Sequence, residues 1–256
     1  VKSWAMGLFD LFTKKGSGAA EAKASKGTSP RELARLTRIV SNKMSQNYDR
    51  QDAIEALSQM ANADGARALL KRFDFSMEPS IVDQDEKEAA ARGIVAAGKA
   101  SIQPIRDYCA RAESLTWPLK VLRQVVPSEE LVDEFLTLLD QFDTEYLRNP
   151  EPKIQLVSLL EEYPCDEVRE AVTPFLGDVN ESVRFHAAGT LFKMADESTM
   201  APLVDALAEE ESLRVKNRIA RGLQNGAWQL PPEVAEKAVA ALPTGFVIKD
   251  RRVVLG

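Results

Sequence analysis

The chain has 256 residues, of which 45% are hydrophobic and 28% charged, and its formal net charge is −6 at pH 7. We expect a buried core, because this length and apolar share suffice for one, and neither a transmembrane helix nor a secretory signal. The charge is uneven: residues 1–50 hold ten Lys/Arg and four Asp/Glu, a net of +6, and the rest hold 23 and 35, a net of −12. The acidic body is predicted to repel nucleic acid and to favour cationic partners.

Residues 1–28 combine an amphipathic stretch, Met6–Lys15, with a linker of small residues. Such a linker is typically flexible. Met6 is an alternative translation start to Val1. The amphipathic stretch is expected to dock in a groove of a partner protein or to touch a membrane surface, unless it folds back over the first repeat. The apolar side chains available for this contact are Leu8, Phe9, Leu11 and Phe12.

The folded part is predicted to begin with a capping helix that runs to about Gln46. Ser29 is a suitable N-cap and Pro30 suits the first helical turn. The apolar residues of this helix fall on one face: Leu33, Leu36, Ile39, Val40 and Met44.

Six helix pairs are predicted to follow, with first helices starting near 51, 86, 117, 153, 183 and 213. The steps of 30 to 36 residues predict a repeat, because a single helix pair cannot bury its own apolar face. The predicted pairs are 51–61 with 66–75, 86–97 with 102–112, 117–126 with 129–141, 153–163 with 167–176, 183–194 with 199–209, and 213–224 with 232–242.

Two segments interrupt this helical pattern. Residues 76–85 are acidic and are predicted to form a long loop between the first and second pairs, either a binding loop or a surface insertion. Residues 244–256 contain two β-rich runs around a polar centre, Lys249–Arg252, and predict a β-hairpin that caps the last pair. The chain therefore divides into residues 1–28, a helical body of residues 29–243 and a hairpin of residues 244–256.

The line from Gly177 to Leu191, GDVNESVRFHAAGTL, resembles a HEAT repeat. An Asn-containing acidic turn precedes the pair Val183-Arg184, and small residues follow. The resemblance extends over residues 50–242, although the pairs near 117 and 153 lack the Val-Arg signature. It is similar to the short HEAT-like repeats of bacterial proteins. It implies an all-α, right-handed α-solenoid that binds other macromolecules along its concave face.

Catalytic signals are sparse in this sequence. His186 is the only histidine, so His-based triads and metal sites are disfavoured, and we expect no cofactor. Cys109 and Cys165 are expected to be buried helix residues in a reduced cytosol. The stripe Arg214, Arg218 and Arg221 indicates either a site for phosphate or an acidic partner, or pairing with Glu209–Glu211 and the preceding repeat.

We therefore interpret the chain as a non-enzymatic, cytoplasmic scaffold or adaptor that binds a protein with a basic surface. The predicted contacts on its second helices are Glu130, Asp133, Glu134, Asp166, Glu167 and Glu170. Two alternatives are an enzyme, similar to HEAT-like bilin lyases or nucleic-acid enzymes, and an adaptor tethered to a membrane surface by residues 6–15.

Overall fold

A computed structural model describes residues 29–256 of the chain. The predicted amphipathic stretch, with Leu8, Phe9, Leu11 and Phe12, and the linker after it lie outside these residues. Within residues 29–256, no helix is both long and apolar enough to cross a membrane.

The first helix, α1, spans Pro30–Val40. Ser29 caps it as predicted, since its Oγ accepts a hydrogen bond from the backbone N–H of Glu32 at 3.2 Å. The helix ends well before Gln46, however. Met44 lies in the turns that follow and is 84% exposed, so it does not belong to the apolar face.

The six predicted helix pairs are present in the part of the chain that the structure describes. Their first helices are α2 (Asn47–Gln59), α4 (Ser80–Ala96), α6 (Thr116–Val125), α8 (Glu151–Leu159), α10 (Glu181–Lys193) and α12 (Leu213–Gly226). Their second helices are α3 (Ala63–Leu70), α5 (Ile102–Cys109), α7 (Leu131–Leu139), α9 (Asp166–Val172), α11 (Met200–Glu209) and α13 (Pro232–Ala241). Short 3-10 helices adjoin several of them: Lys71–Asp74, Gly98–Ser101, Ser128–Glu130, Leu160–Glu162, Thr173–Gly177 and Glu197–Thr199.

The helices stack in two layers. In the first layer α2 packs on α4, α4 on α6, α8 on α10 and α10 on α12; in the second layer α3 packs on α5, α7 on α9 and α11 on α13. Aliphatic side chains fill the space between the layers. Glycine allows close approach: a Cβ on Gly93 would lie 2.1 Å from Ser58 Oγ on the neighbouring helix. This arrangement confirms the all-α solenoid.

The predicted loop 76–85 is largely helical, because α4 already begins at Ser80. One of its acidic residues, Asp83, is turned toward ion-pair partners, whereas Glu78 and Asp85 are exposed. Asp83 Oδ1 lies 2.7 Å from Arg72 Nη2, and Asp83 Oδ2 lies 2.7 Å from Lys87 Nζ. These pairs fold the segment into the helix, so the prediction of a long loop was wrong.

The C-terminal hairpin is confirmed. Strand β1 (Phe246–Lys249) pairs antiparallel with β2 (Arg252–Leu255). Asp250 and Arg251 form the two-residue turn with φ of +50° and +59°, the conformation that matches the twist of a hairpin. The hairpin lies against α12 and α13, and Val253 is only 2% exposed.

Ion pairs link neighbouring helix pairs. The six that we call the inter-repeat ladder lie at four of the five junctions, all but that between the third and fourth pairs. In five of the six ion pairs, the cation lies on one helix pair and the carboxylate lies on the following helix pair or just before it. In the sixth, Lys237 of the last helix pair binds Asp205 of the pair before it. In the first layer the pairs are Arg50–Glu86 (2.9 Å), Lys153–Asp178 (2.5 Å) and Arg184–Glu210 (2.7 Å). In the second layer they are Arg106–Glu134 (2.8 Å), Arg169–Asp196 and Lys237–Asp205 (2.6 Å).

Candidate functional site

A groove of about 690 Å³ lies between the second helices α7 and α9, and we call it the acidic groove. Its carboxylates are Asp133, Asp140 and Asp143, and its apolar lining includes Leu136, Phe142, Ala171 and Pro174. The groove therefore combines negative charge with an apolar surface.

The sequence of α7 explains how the acidic residues reach this groove. Phe135, Leu138 and Leu139 are buried in the core, which turns the opposite face of the helix outward. Asp133 and Asp140 are seven residues apart, a spacing of two helical turns, so they lie on the same face. Both are exposed.

The loop that carries Asp143 is held in place by a buried lysine. Lys153 Nζ donates to the backbone carbonyls of Asp143 at 2.8 Å and Glu145 at 3.2 Å, and it lies 2.5 Å from Asp178 Oδ2. Three acceptors satisfy the ammonium in the interior, as a buried charge requires. The groove wall is thus attached to the inter-repeat ladder.

The predicted contact residues on α7 have different environments. Glu130 is exposed in the 3-10 helix that precedes α7, and Asp133 lines the acidic groove. Glu134 is only 5% exposed, and Arg106 Nε donates to its carboxylate at 2.8 Å. Glu134 is therefore a structural member of the ladder and does not belong to the exposed surface.

The predicted contact residues on α9 are exposed at its first turns. Asp166 pairs with Arg169 at 2.9 Å within the helix, and Glu170 Oε1 lies 3.9 Å from the same guanidinium. Glu167 accepts a hydrogen bond from its own backbone N–H, which lowers the pKa of its carboxyl below the ordinary 4.5. Glu167 precedes Ala171 of the groove by one helical turn.

Sequence reasoning missed Asp140 and Asp143 as groove residues. The seven-residue spacing between Asp133 and Asp140 predicts that both lie on the same face of the helix. Asp143 carried no such signal, because its position depends on Lys153, which lies in the next helix.

A second acidic recess of about 440 Å³ lies one repeat further along the same layer, beside α11. Asp205 and Glu209 line it, together with Pro202. Carboxylates therefore continue along the second helices beyond the acidic groove, although Asp205 is paired with Lys237 and Arg184 also lines this recess.

The one histidine and one of the two cysteines are shielded from solvent to different degrees. His186 is half-buried against the Phe185 ring, and burial, aided by Arg214 and Arg218, lowers the pKa of its imidazole below 6.5. Burial raises the pKa of the Cys109 thiol to about 12. Across residues 29–256, no group of three or more His, Cys, Asp and Glu side chains is arranged to hold a metal ion.

Cys165 departs from its prediction as a buried helix residue. It is the N-cap residue of α9 and is partly exposed. Both cysteines are free thiols.

Two of the arginines of α12, Arg214 and Arg218, pair with acidic residues of earlier repeats, whereas the predicted pairing with Glu209–Glu211 is not formed. Arg214 Nη1 lies 3.4 Å from Glu181 Oε1 on α10, and Arg218 Nη2 lies 3.9 Å from Glu161 Oε1 beyond α8. These distances are longer than those of the inter-repeat ladder.

Comparison with known proteins supports the repeat assignment. A family model of HEAT repeats matches residues 129–224, a span that contains α7 to α11, most of α12 and both acidic surfaces. No curated protein matches the chain in a sequence search. HEAT repeats generally act as protein-interaction scaffolds. The helix pairs before residue 129 stack in the same two layers, so they resemble the HEAT repeats that the family model matches over residues 129–224.

Proposed function

We propose that the chain is a non-enzymatic scaffold that binds a basic segment of a partner protein through its second-helix layer. One observation carries the proposal: the acidic groove holds carboxylates that no cation of the described chain neutralises. Within residues 29–256, Asp133, Asp140 and Asp143 take part in no ion pair. Their charge is free to act on a partner.

Lysine or arginine side chains of the partner would meet these carboxylates at the rim, while an apolar side chain would cover Leu136 and Pro174. Buried apolar contacts supply most of the affinity of such an interface. Rim charges chiefly raise the association rate and select the partner. The affinity should therefore fall as salt rises, with the larger change in the association rate.

Glu130, Asp166, Glu167 and Glu170 are proposed as further contacts around the groove, because all four are exposed on the same layer. The acidic recess beside α11 extends this surface to a longer partner segment. We place the scaffold in the cytoplasm.

Charge reversal of the groove tests the proposal. Partners captured from cell lysate by the wild-type chain are identified, and the affinity of each purified partner is then measured by titration. Asp133→Lys/Asp140→Lys should weaken binding at least ten-fold. The matched control, Asp52→Lys/Glu55→Lys, changes the net charge equally on the exposed face of α2 and should preserve binding. Equal affinities of all three proteins would remove the groove from the proposal.

The amphipathic stretch is tested in the same experiment. Phe9→Ser/Phe12→Ser in the full chain leaves a groove-bound partner in place. Loss of the partner, or loss of sedimentation with liposomes, would instead make residues 6–15 the binding element. That outcome would favour the membrane-surface adaptor.

A further inference from the structure

The first-helix layer carries a groove of the opposite charge. It lies between α10 and α12, has a volume of about 870 Å³, and we call it the basic groove. The cations that line it are Arg214, Arg218, Arg221 and Lys193, and its one lining carboxylate is Glu161. The body of the chain is net acidic, so this local excess of positive charge is an exception.

Two glycines shape the floor of the basic groove. A Cβ on Gly189 of α10 would lie 2.3 Å from Arg218 Nη2, and a Cβ on Gly222 of α12 would lie 2.2 Å from Cε2 of Phe192. Each side chain therefore lies directly on the backbone of the opposite helix. The Phe192 ring also stacks on Trp228, with ring centroids 5.7 Å apart, which gives the groove an aromatic floor.

The guanidinium groups of Arg214 and Arg218 contact an aromatic ring and form only long ion pairs. The Arg214 and Arg218 guanidiniums lie 4.0 Å and 5.0 Å from the centroid of the Phe185 ring. Their carboxylate partners stand at 3.4 Å and 3.9 Å, beyond the 2.7–2.9 Å of a strong charge-assisted hydrogen bond.

Several cationic side chains of the basic groove remain available to bind a ligand. In the described part of the chain, Arg221 and Lys193 form no ion pair, although both are exposed. Arg218 Nε also has no hydrogen-bond partner there, but it is buried, so Arg218 would bind a ligand through its terminal nitrogens. Guanidinium groups that lie on aromatic rings and still have unpaired N–H donors can bind a carboxylate through two hydrogen bonds.

We propose that the basic groove binds an acidic peptide segment of a partner protein, with carboxylates on the arginines and an aromatic or aliphatic side chain on the floor. The size of the groove favours a peptide. Helix α12 has 14 residues and is about 21 Å long, a length that about six extended residues span. A nucleic acid would carry its phosphates beyond the groove onto the net-acidic body, where they would be repelled.

This inference does not rest on the proposed function, because the two grooves lie on different helix layers and attract opposite charges. The probe for the test is a fluorescein-labelled octapeptide of six Glu and two Trp residues, titrated with the full chain and followed by anisotropy. Arg218→Glu/Arg221→Glu should weaken its binding at least ten-fold. Arg221→Glu alone should weaken it about three-fold or more and leaves the other contacts of α12 intact.

Two matched controls separate the basic groove from general charge attraction. Arg111→Glu/Arg148→Glu makes the same change in net charge at exposed positions elsewhere and should keep the dissociation constant within two-fold. Asp133→Lys/Asp140→Lys should also leave the peptide affinity unchanged, so a failure of one groove does not imply a failure of the other.

Three results would overturn the proposal. The first is no binding of the octapeptide by the wild-type chain. The second is equal weakening by the Arg111→Glu/Arg148→Glu control. The third is tighter binding of a labelled 20-nucleotide single strand than of the octapeptide, lost in Arg218→Glu/Arg221→Glu, which would assign the groove to nucleic acid.

Discussion

Arg72 and Glu86 form an ion pair in the interior between the first two helix pairs, with Arg72 Nε 2.7 Å from Glu86 Oε2 and neither side chain exposed. Arg50 contacts the same carboxylate at 2.9 Å. One carboxylate thus contacts two buried guanidinium groups, and Asp83 supplies a second negative charge at Arg72.

Replacing Glu86 by Gln should lower the free energy of unfolding by about 3–5 kcal/mol, because two buried guanidiniums then lose their shared negative partner. Urea unfolding followed by circular dichroism measures this change. Glu88→Gln, on the exposed face of the same helix, should change the stability by less than about 0.5 kcal/mol. If Glu86→Gln lowers the free energy of unfolding by less than about 1 kcal/mol, this ion pair contributes little to the stability of the first two helix pairs.

The free energy of unfolding should depend on pH through the carboxyl group of Glu210. Burial alone would raise the pKa of this carboxyl, but Arg184 and the backbone N–H groups of Ser212 and Glu211 hold it below its ordinary value of 4.5. Their hydrogen bonds include Arg184 Nε to Oε2 at 2.7 Å and Ser212 N to Oε1 at 2.8 Å.

A carboxyl with a lowered pKa stabilises the fold above the pKa of the unfolded chain, and the stability is lost as the pH falls through the folded pKa. Wild-type stability should therefore fall below about pH 4.5 more steeply than that of Glu210→Gln. Chemical unfolding between pH 7 and pH 3 measures both slopes, with Glu211→Gln, an exposed neighbour, as the control. Parallel curves for wild type and Glu210→Gln would contradict this assignment.

Gly222→Ala should destabilise the chain by about 1–3 kcal/mol, because the added methyl group would overlap the Phe192 ring. Thermal unfolding gives the comparison with Gly177→Ala, where an added Cβ meets no atom within 4 Å and little change is expected. The penalty should shrink when Phe192 is also replaced by Ala, since that removes the ring. An equal loss of stability with Phe192 and with Ala at that position would show that the ring is not the cause.

The two cysteines should differ in reactivity. At pH 8, a thiol with a pKa of about 12 is a thiolate in only ~1 of 10⁴ molecules, so Cys109 should react with an aromatic disulfide reagent only on unfolding. Cys165, partly exposed at the start of α9, should react in the folded state. Cys165→Ser should abolish the fast reaction and Cys109→Ser should retain it. A fast reaction that survives Cys165→Ser would show that α5 opens readily.

Helix order and the hairpin were predictable because they depend on local signals. Apolar periodicity marked each helix pair, and Ser29 and the turn at Asp250 and Arg251 marked boundaries. The helix over residues 80–85 was missed for a physical reason. Its acidic residues resemble a surface loop until Arg72, from the preceding pair, is known to bind Asp83.

The candidate site was predictable only in its general position on the second helices. Glu134 and Asp133 are adjacent carboxylates that the sequence does not distinguish. Their different burial follows from Arg106, which is 28 residues away in the chain. Charges that pair between repeats depend on the stacking of the helices, which periodicity alone does not specify.

The inter-repeat ladder has a consequence for how the chain folds. Its partners are close in sequence, from 25 residues apart for Lys153 and Asp178 to 36 for Arg50 and Glu86. Contacts of such uniform and modest separation give a low contact order, so a nucleus can form at any adjacent pair of repeats and grow in either direction. The nascent chain can therefore begin to assemble once two repeats have left the ribosome, well before synthesis is finished.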